Sequence, residues 1–86
     1  MHPAAMDARL ARLREALASL AARSRFEMLV QLAGAERCVT ELAADVGLSQ
    51  SCTTRHLQAL ARAGLVRGRR DGRRVLFSAV REHAEL

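Results

Sequence analysis

The chain opens on a segment in which large apolar side chains recur every third or fourth residue. This spacing marks one face of an α-helix and predicts a helix over residues 5–22. The members of this leucine stripe are Met6, Leu10, Leu13, Leu17 and Leu20. About two heptads fit either a seam with a second chain or a face packed on the domain's own core, so both remain open. Residues 1–4 are expected to be disordered.

A second helix is predicted from about Arg25 to Ala33. Ser24 followed three residues later by Glu27 has the pattern of a capping box, in which each side chain bonds the other residue's amide. Gly34 supplies a helix stop at the other end.

Residues 40–64 have the pattern of a helix–turn–helix. A short helix from Glu41 to Val46, with Thr40 as its N-cap, is followed by a glycine turn. A longer helix follows over residues 50–63, and Ser49 can cap it. Ala43 is small enough to lie where two helices cross, and Gly47 can adopt the left-handed turn between them. Thr53 is the inward β-branched residue that such a unit needs.

After Gly64 the apolar period changes from helical to alternating. Two strand-like runs within residues 65–79 flank Asp71-Gly72, a pair typical of a type I′ hairpin turn. A short helix is predicted for residues 80–86. The whole chain, residues 1–86, is therefore predicted to be one mainly α domain with a small β-hairpin, in the order α-α-α-α-β-β-α: a winged helix–turn–helix.

The helix at residues 50–63 has one polar face. When it is projected at about 100° per residue, Thr53, Leu57 and Leu60 form a core side, and polar residues cover the rest. A recognition helix presents such a face to the DNA major groove, where arginine reads guanine and glutamine reads adenine. Hydroxyls near the helix N-terminus suit phosphates. The predicted DNA-contacting residues here are Ser49, Gln50, Ser51, Thr54, Arg55 and Gln58.

Charge adds a second candidate surface. The 86 residues carry a net charge of +5, and all 14 basic residues are arginines. Four of them, Arg69, Arg70, Arg73 and Arg74, flank the predicted hairpin turn and form a cationic tip suited to phosphates or the minor groove. An acidic protein partner is the alternative that this charge leaves open.

Other classes of protein find little support. Two cysteines allow no disulfide framework, and no apolar run is long enough to span a membrane, so a cytoplasmic location is expected. No nucleophile–base pair, carboxylate pair or complete metal set indicates an enzyme.

These motifs together resemble the ArsR-type (ArsR/SmtB) family of winged helix–turn–helix regulators, over nearly the whole chain. The most specific match is Gly-Leu-Ser-Gln-Ser at residues 47–51 followed by His-Leu at 56–57, and Arg55 before that pair matches as well. The other matching segments are 20–21, 24–29, 36–43, 63–66 and 69–73. The resemblance implies a homodimer built from the first and last helices, which would make the leucine stripe its seam. It also implies a palindromic double-stranded DNA operator and repression of transcription.

Many members of that family respond to metal or arsenite, but their ligand sets are incomplete here. A Cys-Val-Cys site corresponds to residues 38–40, where only Cys38 is retained. In a second family site His83 falls near a ligand position, Arg81 replaces a carboxylate, and the chain ends before further ligands. His2 of the other subunit could approach Cys38. Because soft metals need two to four ligands, no metal or cofactor is expected, and no effector is identified.

Cys52 adds a redox alternative. It flanks the DNA face of the predicted recognition helix, where oxidation would block docking. The simpler interpretation is a small residue in place of the threonine that is usual in the family.

Overall fold

The computed structural model describes residues 3–81 and contains three helices followed by a hairpin over that range. The helices are α1, Pro3–Gly34; α2, Val39–Val46; and α3, Gln50–Arg62. The strands are β1, Val66–Asp71, and β2, Arg74–Ala79, which pair antiparallel as the wing. The winged helix–turn–helix prediction is confirmed. Most of the helix predicted at residues 80–86 lies outside the described residues.

The predicted division of the N-terminal segment into two helices is wrong, because α1 runs unbroken through Ser24. Ala21, Ala22 and Arg23 favour a helix, and neither glycine nor proline interrupts it there. Ser24 therefore lies in the interior of a helix and caps nothing. The helix also begins at Pro3, inside the segment expected to be disordered, and proline suits a first helical turn. Residues 1 and 2 lie outside the described part.

The core gathers around the second half of α1. Met28 and Leu32 are buried there against Leu42 of α2, Leu57 and Leu60 of α3, and Val66 of β1. Each such side chain contributes about 1.5–3 kcal/mol on burial. The first half of α1 adds nothing to this cluster, so the helix projects from the body. The long axis of the molecule measures 55 Å.

The helix–turn–helix closes around a small crossing residue and a glycine. Ala43 is 4% exposed, as predicted for the position where α2 and α3 cross. Gly47 ends α2 with φ 70°, and the Leu48 amide donates to the Ala43 carbonyl at 3.0 Å. α2 begins earlier than predicted: Cys38, not Thr40, is its N-cap residue, and its amide donates to Glu41 Oε1 at 3.0 Å.

The wing turns one residue later than predicted. Asp71 pairs with Arg74, so the two central turn residues are Gly72 and Arg73 and not Asp71 and Gly72. Only Gly72 has a positive φ, 65°, which is the sign pattern of a type II′ turn and excludes the predicted type I′. The full register of β1 and β2 requires this shift, because it pairs Val66 with Ala79 and Gly68 with Phe77.

Candidate nucleic-acid interface

The start of α3 is fixed by the cap that the sequence predicts. Ser49 Oγ accepts a hydrogen bond from the Cys52 amide at 3.1 Å, and Ser51 Oγ lies 3.3 Å from the Ser49 hydroxyl. The two hydroxyls therefore cluster at the positive end of the helix, where an anion is favoured.

The body of α3 separates a buried side from an exposed one. Thr53, Leu57 and Leu60 are buried, which confirms the predicted core side. Gln50, Ser51, Arg55 and Gln58 are exposed, and Thr54 is half-buried at the flank. Among residues 3–81, Arg55 takes part in no ion pair. The Arg55 guanidinium and the side-chain amides of Gln50 and Gln58 can therefore bind a ligand without first breaking an ion pair within the described chain.

His56 joins α3 to α1 through a contact that the sequence does not reveal. Arg25 Nε donates to His56 Nδ1 at 3.2 Å. Burial lowers the pKa of His56, and the positive charge of Arg25 lowers that pKa further. A neutral imidazole that accepts at Nδ1 carries its proton on Nε2. The pair ties the candidate recognition helix to α1.

The four arginines of the predicted cationic tip have different surroundings. Arg69 makes a two-pronged contact with Glu36: Nε donates to Oε2 at 2.7 Å and Nη2 to Oε1 at 2.8 Å. Hydrogen bonding to the arginine lowers the pKa of Glu36, and the carboxylate raises that of Arg69. Glu36 lies between α1 and α2 and was not a candidate in the sequence.

Arg74 lies near two further carboxylates. Its Nη1 is 3.9 Å from Glu41 Oε1 and its Nε is 3.6 Å from Asp71 Oδ2. Hydrogen bonding from the Cys38 thiol lowers the pKa of Glu41, as do the Cys38 amide and the charges of Arg74 and Arg37. Arg74 is therefore only partly available as a free positive charge.

Of the four arginines at the cationic tip, Arg70 and Arg73 take part in no ion pair among residues 3–81. Both are exposed; Arg70 lies on the strand face opposite Arg69, and Arg73 lies in the turn. Alternation along β1 thus divides the predicted cationic tip.

No other element of the described chain covers the leucine stripe. Met6, Leu10, Leu13, Leu17 and Leu20 are 46–65% exposed, so the stripe does not pack on the core of its own chain. This excludes one of the two interpretations that the sequence left open. A row of large apolar side chains in water is typical of a surface that another chain covers.

The predicted metal and redox candidates remain apart in the described range. Cys38 and Cys52 are free, half-buried thiols. Within residues 3–81, no three histidine, cysteine or acidic side chains come together as a metal site would require. His2 and His83 lie outside that range. No helix of the described chain is long and apolar enough to cross a membrane.

Comparisons with known proteins identify the family of this chain. The model described as "Bacterial regulatory protein, arsR family" matches residues 23–67. The HTH-type transcriptional repressor SmtB of Mycobacterium tuberculosis is 39% identical, over 80% of this chain and 51% of the repressor. The HTH-type transcriptional regulator NmtR of the same organism is 39% identical, over 78% of this chain and 56% of that protein. The chain thus spans about half the length of these curated relatives.

Solved structures extend the similarity to the fold. One is the homodimeric winged helix–turn–helix DNA-binding domain of a possible ArsR-family transcriptional regulator from Mycobacterium bovis. It has a TM-score of 0.71 and 34% identity, over 95% of this chain and 74% of that one. The transcriptional regulator HlyU of Vibrio vulnificus has a TM-score of 0.70 and 32% identity, over 99% of this chain and 88% of that one.

Proposed function

Because the chain belongs to the arsR family of bacterial regulatory proteins, we propose that it is a dimeric, sequence-specific DNA-binding regulator that represses transcription. The observation that carries the proposal is the exposed polar face of α3, with Arg55 at its centre and a cationic wing on the same chain. Arg55 has no ion pair among residues 3–81. Such a regulator acts on chromosomal DNA and hence in the bacterial cytoplasm.

In the proposed complex, α3 enters the major groove by its N-terminal turns. Arg55 donates two hydrogen bonds to O6 and N7 of a guanine, and Gln50 and Gln58 pair with adenine edges. The hydroxyls of Ser49, Ser51 and Thr54 contact phosphates or base edges at the positive helix end. The sequence preference therefore comes from α3.

The wing supplies contacts that do not depend on sequence. Arg70 and Arg73 lie on phosphates or in the adjacent minor groove, since neither charge is neutralised among the described residues. Arg69 and Arg74 contribute less directly, because carboxylates of the same chain engage them. Such contacts make affinity fall steeply with salt.

The leucine stripe of α1 forms the seam between two copies. Its side chains are exposed and recur along one helix, and the similar Mycobacterium bovis domain is homodimeric. A two-fold dimer presents two α3 helices related by symmetry, so its operator is palindromic.

A selection experiment tests this proposal. The wild-type chain is used to enrich binders from a library of randomised duplexes, and affinity for the enriched duplex and for a scrambled one is measured by fluorescence anisotropy. We expect Arg55→Ala to lose about 1–3 kcal/mol of preference between the two duplexes. Arg62→Ala, which removes the same charge from the last turn of α3, is the matched control and should retain the preference.

Two results would contradict the proposal. Unchanged preference in Arg55→Ala would show that α3 does not read bases. No binding of any duplex at low salt would favour the other partner for this charge, an acidic protein.

A further inference from the structure

The wing is attached to the helix–turn–helix by residues 36–41. Glu36 holds Arg69 of β1 through two hydrogen bonds, and Glu41 approaches Arg74 of β2. Between them, the Arg37 backbone pairs with the outer edge of β2: its amide donates to the Phe77 carbonyl at 3.1 Å, and the Phe77 amide donates back at 2.8 Å. The attachments come from one short segment and fall on both strands.

The register shows which wing side chains this attachment engages. Arg69, Asp71, Arg74 and Leu76 share one face of the hairpin, which lies toward Glu36 and Glu41. Leu76 is buried on that face. Arg70 belongs to the opposite face, and Arg73 to the turn. Val66 and Phe77, which lie on the same face as Arg70, pack on the core at the base of the wing. The attachment through Glu36 and Glu41 therefore leaves Arg70 and Arg73 without a carboxylate partner among residues 3–81.

Glu36 is an unexpected charge for a surface that binds DNA. A carboxylate near phosphates is repelled, and here it also neutralises one of the wing arginines. Its forked geometry offers a reason for its presence, since two parallel hydrogen bonds fix the plane of a guanidinium where a point charge would not.

We infer that Glu36 and Arg69 form a positioning pair that sets the angle of the wing on the helix–turn–helix and delivers Arg70 and Arg73 to DNA. Arg69 acts through this geometry and contacts no phosphate itself. The inference rests on the proposed DNA-binding function and assigns a role in it to a carboxylate.

The competing interpretation is that Arg69 contacts phosphate and that Glu36 restrains it. The two interpretations predict opposite effects of Glu36→Gln on the affinity for DNA. Glu36→Gln makes the chain more positive, so general electrostatics and a released Arg69 would both strengthen binding. Loss of a positioning pair would weaken it.

The test measures anisotropy on the enriched duplex over a series of salt concentrations. We expect Glu36→Gln to weaken binding about two- to fivefold, the range of an exposed pair with good geometry. Arg69→Gln should weaken binding while leaving the slope of log affinity against log salt unchanged. Arg73→Ala should reduce that slope by about 0.9, the loss of one phosphate contact. Glu15→Gln, the same charge change on the projecting half of α1, should not weaken binding to the enriched duplex.

A charge swap separates positioning from general destabilisation. Glu36→Arg combined with Arg69→Glu restores an ion pair at the original net charge, and we expect affinity within about twofold of the wild type. Each of the two single variants should bind DNA weakly although circular dichroism shows a folded chain.

Tighter or unchanged binding by Glu36→Gln would overturn the inference. So would a salt slope that falls by about 0.9 in Arg69→Gln, or a charge swap as weak as its single substitutions. Wild-type binding together with the expected loss in Arg55→Ala would leave the proposed function standing in those cases. Failure of the wild type to bind any duplex would contradict both the proposed function and this inference.

Discussion

At the scale of single residues, two hydrogen-bonded pairs join distant parts of the chain: Glu36 with Arg69, and Arg25 with His56. Ser49 was predicted as a cap and is one, because capping involves neighbours along the chain. The partner of Arg69 lies 33 residues away and that of His56 lies 31 residues away. No periodicity or local motif joins such positions, so Glu36 and Arg25 were missed.

His56 gives a prediction about pH. Its pKa is lowered in the folded chain, so between that value and the ordinary 6.5 the unfolded state binds the proton and the folded state does not. The contribution of neutral His56 is fully present above pH 6.5 and is lost as the pH falls below it. We expect the free energy of unfolding in urea to decrease from pH 7.5 to 5.5.

His56→Gln is the control for that measurement, since it removes the titrating ring and leaves His2 and His83 in place. Its free energy of unfolding should fall less over the same interval. The lowered pKa values of Glu36 and Glu41 lie below 4.5 and act outside this window. Equal decreases in the two proteins would mean that His56 is not responsible.

At the scale of elements, the type of each helix or strand was predicted more accurately than its boundaries. The helix–turn–helix and the hairpin follow from glycines and from a change of period, which are strong local signals. The break at Ser24 was wrong because a serine three residues before a glutamate also occurs inside helices. The turn was displaced by one residue because strand register, set by pairing along the whole hairpin, decides it.

Ser24→Ala tests the continuity of α1 by the sign of its effect. In a helix interior alanine is favoured over serine by roughly 0.5 kcal/mol, so the free energy of unfolding in urea should rise by up to that amount. At an N-cap the same substitution would lower it by about 1 kcal/mol. A loss of that size would restore the two-helix description.

The whole molecule consists of a compact helix–turn–helix with a wing, from which the N-terminal half of α1 projects. The 32 residues of α1 span about 48 Å, and residues 6–20 carry the leucine stripe away from the core. Sequence periodicity located the stripe but left its partner open. Because the stripe is exposed, its partner is not the chain's own core. The proposed recognition of a palindromic operator therefore depends on the assembly of two chains through this stripe.

Native mass spectrometry of the chain mixed with the enriched duplex tests the central claim most directly. We predict two chains on one duplex, and the same for Ser19→Glu, which adds a charge about 200° around α1 from Leu17. Leu17→Glu places that charge within the stripe and should give folded monomers that do not form the two-chain complex. A wild-type complex of one chain on one duplex, or a folded chain that forms no DNA complex, would contradict the account.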